Sequence, residues 1–257
     1  MHRSWALKLE YDGTNYAGWQ RQQAGLAIQQ ILETAAAMLN GGDPVASIVA
    51  GRTDAGVHAE AQVAQIALAR EYTSDRLREA LNYHMKPHPV VVLDAAPAPP
   101  SWNARFSAVK RIYQYRILTR RARPALLAGQ VWHVPRPLDA DAMQAAAAPL
   151  LGWHDFSSFR AAACQAKTAL RTLDRLDVAR HGELIEITAE ARSFLHHQVR
   201  NIVGTLRLVG EGRWPISAVA QALAARDRAA AGPTAPAAGL TLVGVRYPVD
   251  PFHAARG

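Results

Sequence analysis

Residues 175–191, RLDVARHGELIEITAEA, carry apolar side chains at Leu176 and Val178 before His181-Gly182, and at Ile185, Ile187, Ala189 and Ala191 after it. A period of two on both sides of a glycine-bearing turn predicts an antiparallel hairpin. The same alternation recurs outward from it. In WALKLEY (5–11), Trp5, Leu7, Leu9 and Tyr11 share one face, and Asp12-Gly13 ends the strand. KRIYQYRIL (110–118) alternates likewise, VASIVA (45–50) reads as a buried strand, and AQVAQIALA (61–69), VVVLDA (90–95) and GLTLVGVRY (239–247) read as further strands.

Helical spacing appears between these strands. Ile28, Ile31, Leu32, Ala35, Met38 and Leu39 form one stripe, with Gly41 as its stop. Ser74 can cap a helix carrying Leu77, Leu81 and Met85; residues 139–152 form another with acids in its first turn. Val199, Ile202, Val203, Leu206 and Val209 mark a further helix, and Ile216, Val219 and Leu223 one after Pro215. Hairpins alongside helices predict an α+β fold with largely antiparallel sheets, not a doubly wound parallel one. Neither G-x-G-x-x-G nor G-x-x-x-x-G-K-[ST] is present, so a nucleotide-cofactor fold has little support.

The proline-rich stretch APAPPSWN (96–103) reads as a linker, and strands and helices recur in similar order on either side of it. The expected division is 1–104, 105–250 and a tail, 251–257. Residue identity between the halves is weak, so a duplication is only suggested. Residues 209–239 are rich in Ala and Pro, and Pro233 to Pro236 reads as a loose surface loop.

The 257 residues suffice for a sizeable core without staples. One cysteine, Cys164, excludes an intramolecular disulfide and a Cys-rich zinc site, which fits a reducing, cytoplasmic setting. The first residues lack an apolar run of signal-peptide length, and no run approaches the roughly 18 residues that span a bilayer. Twenty-nine basic against 21 acidic residues give a formal charge of +8, and nearly all the cations are Arg. Arginine's planar fork suits phosphate and base faces, which points to nucleic acid; a GC-rich genome is the other source of such a bias.

The chemistry concentrates in IVAGRTDAGVHAEAQVAQI (48–66). Asp54 is a lone carboxylate in a loop between two strands, bracketed by Gly51 and Gly56, with Arg52 two residues away. Glycines let the backbone approach a ligand closely, and Arg52 can hold the carboxylate ionised. An ionised Asp is suited to attack on, or proton abstraction from, a sugar carbon. The alternative is an Asx-turn with a surface ion pair.

GRTDAGVHA resembles the catalytic motif of the TruA-type tRNA pseudouridine synthases. YDGTNYAGWQRQ (11–22), ARFSAVKRIYQYRI (104–117), DFSSFRA (155–161), FLHHQVRNIVG (194–204) and GLTLVGVRYP (239–248) resemble that family's other blocks, in its order. The resemblance implies two similar subdomains with an active-site cleft between them. It implies isomerisation of uridine to pseudouridine at positions 38, 39 and 40 of the tRNA anticodon stem-loop, without cofactor or metal, by a homodimer. Asp54 takes the family's catalytic position, acting at C1′ or C2′ of the ribose.

Tyr113 lands on the family's active-site tyrosine and Arg200 on the residue that pairs with the catalytic Asp. Arg52 becomes an RNA contact that helps extrude the base, and Leu240 an apolar wall of the uracil pocket. For Tyr115 and Leu240 a plain core role competes with the pocket role. Glu60 reads as loop surface. His196-His197, expected on opposite faces of a strand, read with Phe194 as pocket wall rather than as metal ligands. Arg120, Arg121 and Arg123 read either as phosphate contacts or as a solvated turn. A catalytically silent tRNA-binding or RNA-folding protein on the same scaffold is the rival class; intact Asp54, Arg52, Tyr113 and Arg200 argue against it.

Overall fold

The computed structural model describes residues 3–23 and 25–252. Strand β1 (Arg3–Tyr11), helix α1 (Ile28–Leu39), β2 (Ile48–Val49), β3 (His58–Leu68), α2 (Ser74–Met85) and β4 (Val90–Pro97) come first. They are followed by β5 (Lys110–Leu118), β6 (Trp132–His133), α3 (Ala140–Ala147), β7 (Gly152–Asp155), β8 (Leu170–His181) and β9 (Leu184–Ala191). Helices α4 (Gln198–Gly210) and α5 (Ala218–Ala225) and strand β10 (Leu240–Arg246) complete the order. Largely antiparallel strand pairing flanked by helices makes this an α+β protein. Two compact units divide the chain: residues up to Arg111 with those from Leu242 onward, and Ile112–Thr241. Both divisions fall inside strands, β5 and β10.

In the first unit β1 lies between β3 and β4, antiparallel to both, so that Leu7 faces Ala64 on one side and Ala95 on the other. The alternation read from WALKLEY is realised: Trp5, Leu7 and Leu9 are buried. α1 buries Ile28, Ile31, Leu32, Ala35, Ala36 and Leu39, and α2 buries Leu77, Leu81 and Met85. Each buried Ile, Leu or Met side chain stabilises the fold by roughly 1.5–3 kcal/mol. The cap of α2 is Thr73, one residue before the expected Ser74; its Oγ1 accepts from the Arg76 N–H at 3.4 Å.

The proline-rich stretch is built into this unit. Trp102 is 7% exposed and its ring lies 5.0 Å from that of Tyr247, whose hydroxyl donates to the Ala104 carbonyl at 2.7 Å.

In the second unit β8 pairs with β9 as the hairpin expected, His181 opposite Leu184, with Gly182 at φ +62° in the turn. β7 adds antiparallel to β8, and β6 pairs parallel with β5. α3, capped by Asp139, packs on β8 and α4. It ends sooner than expected because a 3-10 turn containing Pro149 follows. Among the described residues no helix is long and apolar enough to cross a membrane.

Candidate active site

The Asp54 loop begins where β2 ends, at Ala50, and closes into β3 at His58. The residues leading to Asp54 are held from below. The Thr53 and Tyr11 hydroxyls are 2.8 Å apart, and Gln62 Nε2 donates to Tyr11 Oη at 3.2 Å and to the Gly51 carbonyl at 2.8 Å. Tyr11, Thr53 and Gln62 are all buried, Gln62 completely. Burial pushes the Tyr11 phenol up to about 12, against the opposing pull of its Thr53 and Gln62 hydrogen bonds. The Asp54 carbonyl accepts from Val57 N at 3.1 Å, closing the loop on itself.

The segment 11–22 is the seat of this loop. Trp19 N donates to the Thr53 carbonyl at 3.0 Å, and Gly56 N to the Tyr16 carbonyl at 3.3 Å. A Cβ on Gly18 would stand 2.6 Å from the Thr53 carbonyl oxygen, and one on Gly13 2.0 Å from that of Val57. Only glycine permits this backbone approach. Asp54 is left half-buried. Arg52 is exposed and, among the described residues, forms no ion pair, so it is available to an outside anion. Glu60 is not in the loop; it is an exposed residue of β3.

Tyr113, Arg200 and Leu240 belong to the second unit. Tyr113, on β5, is 8% exposed, and Phe194 meets its ring edge-on at 5.3 Å. Tyr115 points to the same side but is fully buried, its hydroxyl donating to the Pro236 carbonyl at 2.8 Å. Burial raises its pKa strongly, opposed by nearby Arg200. Tyr115 is therefore a core residue. Leu240, at the start of β10, is 5% exposed.

Arg200 sits in the first turn of α4 and is half-buried. Its Nε donates to the Ala235 carbonyl at 2.8 Å, and its own carbonyl accepts from Ala235 N at 3.1 Å. The segment supplying these partners was expected to be a loose loop, and it is not. Ala235 is fully buried; Gly232 N donates to Thr205 Oγ1 at 2.9 Å. Arg228 reaches the Gly232 carbonyl at 2.9 Å and Asn201 Oδ1 at 3.1 Å. A Cβ on Gly204 would lie 1.7 Å from the Pro233 carbonyl oxygen, so α4 and this segment touch backbone to backbone.

His196 and His197 also depart from expectation. They lie in a turn, not a strand: His197 adopts φ +62° as the N-cap of α4, and the two rings come within 4.0 Å. Arg120 pairs with Glu183 at 3.1 Å on the surface, while Arg121 and Arg123 are exposed.

A family model described as tRNA pseudouridine synthase matches residues 8–107 and 146–248. The chain belongs to the tRNA pseudouridine synthase family. The tRNA pseudouridine synthase A of Acidiphilium cryptum is 66% identical over 251 residues, covering 97% of this chain and 98% of that one. That of Gluconobacter oxydans is 55% identical over 251 residues, covering 97% and 91%. That of Rhodospirillum centenum is 61% identical over 236 residues, covering 92% and 96%. Of the synthase residues named from the sequence, Asp54, Arg52, Arg200 and Leu240 fall within the family-model match, and Tyr113 falls between its two segments. Tyr11, Gln62 and Gly18, which hold the Asp54 loop, were missed as site residues.

Proposed function

We propose that this chain isomerises uridines at positions 38, 39 and 40 of the tRNA anticodon stem-loop to pseudouridine, with Asp54 as the reacting carboxylate. The observation that carries the reading is the construction of the Asp54 loop: a half-buried acid whose preceding residues, Gly51 and Thr53, are hydrogen-bonded to buried Gln62 and Tyr11, and whose following Gly56 is tied to the Tyr16 carbonyl. Membership of the synthase family supplies the reaction class.

In that reaction the N1–C1′ bond of uridine breaks, the uracil turns, and a C5–C1′ bond forms. C5 loses a proton and N1 gains one, so composition is unchanged and no cofactor or metal is required. Asp54 serves by attacking C1′ or by taking the C2′ proton; either role needs an ionised carboxylate beneath a flipped nucleotide. Tyr113 offers a ring face for the base, Arg200 a cation for the carboxylate, Leu240 an apolar wall, and Arg52 a phosphate contact. The reading assigns residues of both units to one substrate. It includes a homodimer acting in the cytoplasm.

The test is carbodiimide labelling with primer extension on unmodified tRNA carrying uridines at 38, 39 and 40. Wild type is expected to produce stops at those positions. Asp54→Asn is expected to produce none while binding the tRNA with near wild-type affinity. Tight binding without stops from either protein would mean a catalytically silent RNA-binding scaffold.

A further inference from the structure

Phe106 is 74% exposed in the first unit, on the turn joining the packed Trp102 segment to β5. Single exposed apolar side chains are ordinary. What sets this one apart is how firmly the turn is built. Asn103 Oδ1 accepts from both Arg105 N at 2.9 Å and Phe106 N at 3.0 Å. Ser107 closes the turn, accepting from Asn103 N with its hydroxyl and donating its own N–H to the Asn103 carbonyl, both at 3.0 Å. Gln65 and Tyr247 fasten Ala104 from either side. The Arg105 guanidinium lies 5.5 Å from the Phe106 ring centroid.

One buried guanidinium ties this turn to the Asp54 loop. Arg111, 8% exposed, donates to the Arg105 carbonyl at 2.7 Å and to Ala108 at 3.0 Å. It also donates to the Ala50 carbonyl, at 3.1 Å from Nε and 2.6 Å from Nη2. Ala50 is the residue before Gly51, where the Asp54 loop begins. A ligand group seated on Phe106 is thus registered to the loop that carries the reacting carboxylate.

We propose that Phe106, with Arg105 beside it, is a stacking platform for an unpaired nucleobase of the tRNA, a substrate contact beyond the pocket itself. An aromatic face accepts any base, and the adjacent guanidinium adds a cation–π and phosphate-directed component without sequence preference. The neighbouring cation and the formal charge of +8 favour RNA over an apolar protein surface as occupant. The inference rests on tRNA being the substrate, not on Asp54 being catalytic.

The test measures affinity for an unmodified tRNA transcript by fluorescence anisotropy at fixed salt, for wild type, Phe106→Leu and Phe106→Trp. Leucine keeps apolar bulk but has no ring, and is expected to weaken binding about tenfold, at the low end of a base–aromatic stack. Tryptophan is expected to bind within about twofold of wild type. A fully paired RNA duplex should bind wild type and Phe106→Leu alike. Thermal midpoints should coincide, because the side chain is exposed. Leucine binding tRNA as wild type does, or tryptophan losing as much as leucine, overturns the platform. Pseudouridine formation is scored separately: tRNA binding that depends on the ring, with no product, sinks the isomerase reading and leaves the platform standing.

Discussion

Thr53 is the residue on which Asp54, the proposed reacting carboxylate, depends most closely. Its side chain is buried, its hydroxyl is 2.8 Å from Tyr11 Oη, and its carbonyl accepts from Trp19 N. Thr53→Val keeps the shape and removes the hydroxyl, leaving the Tyr11 phenol one partner short; an unmet buried polar group costs about 1–3 kcal/mol. The position of the next residue loosens as a result. The expected outcome is a turnover number reduced about tenfold or more, since displacements of about 1 Å cost rates heavily, while the dissociation constant for tRNA stays near wild type. Thr53→Ser should restore most of the turnover. Single-turnover kinetics beside equilibrium binding would decide; equal losses in both, or no rescue by serine, would make Thr53 a stability residue only. The loop that carries Asp54 stood out because GRTDAGVHA is a long string with a specific resemblance. Its supports did not. The sequence names no partner for Gln62, and only the fold shows its amide nitrogen donating inside the unit to both Tyr11 and Gly51.

At the scale of elements, the long periodic stretches told the most. α1 begins and ends within a residue of its apolar stripe, and the hairpin of β8 and β9 turns at its glycine. Short elements said little. β2 keeps two of the six residues expected, and β7, four residues with an exposed Trp153, carries no alternation to read. The segment 232–236 misled for a physical reason: its composition is that of a loop, but its backbone is buried against α4. Gly204 makes that contact possible, so Gly204→Ala tests it. A methyl group 1.7 Å from the Pro233 carbonyl oxygen cannot be relieved by a rotamer change. Overpacking of this kind costs about 3 kcal/mol or more, which for a chain this long lowers the melting temperature by roughly 6–12 °C. Because Ala235 holds Arg200 through two hydrogen bonds, residual folded protein should also lose turnover. A variant with an unchanged melting temperature would show that the segment detaches from α4 at no cost.

For the whole molecule, the sequence supplied the class of fold and the charge, but not that the last strand returns its residues from Leu242 onward to the first unit. That it is a strand is legible; its destination depends on partners far away in the chain, such as Trp102 for Tyr247. That return buries a phenol, and both units carry one. Burial raises the pKa of Tyr11 and Tyr247 in the first unit and of Tyr115 in the second. Below about pH 10 these groups are protonated whether the chain is folded or not, and pH has no leverage through them. Above it the unfolded chain releases protons that the folded chain keeps, so stability falls as pH rises through the window from about 10 to about 12 and beyond. Tyr11 alone, raised to about 12, accounts for roughly 2–3 kcal/mol of loss once that window is crossed. Urea midpoints at pH 7, 8.5 and 11 should be level between the first two and drop at the third, with phenolate absorbance from the buried tyrosines appearing only as the chain unfolds. Tyr247→Phe should flatten the decline, because a ring that cannot ionise contributes nothing to the slope. Early phenolate absorbance from a still-folded protein would mean these hydroxyls are open to water, and the buried anchoring of the Asp54 loop through Tyr11 would fall with them.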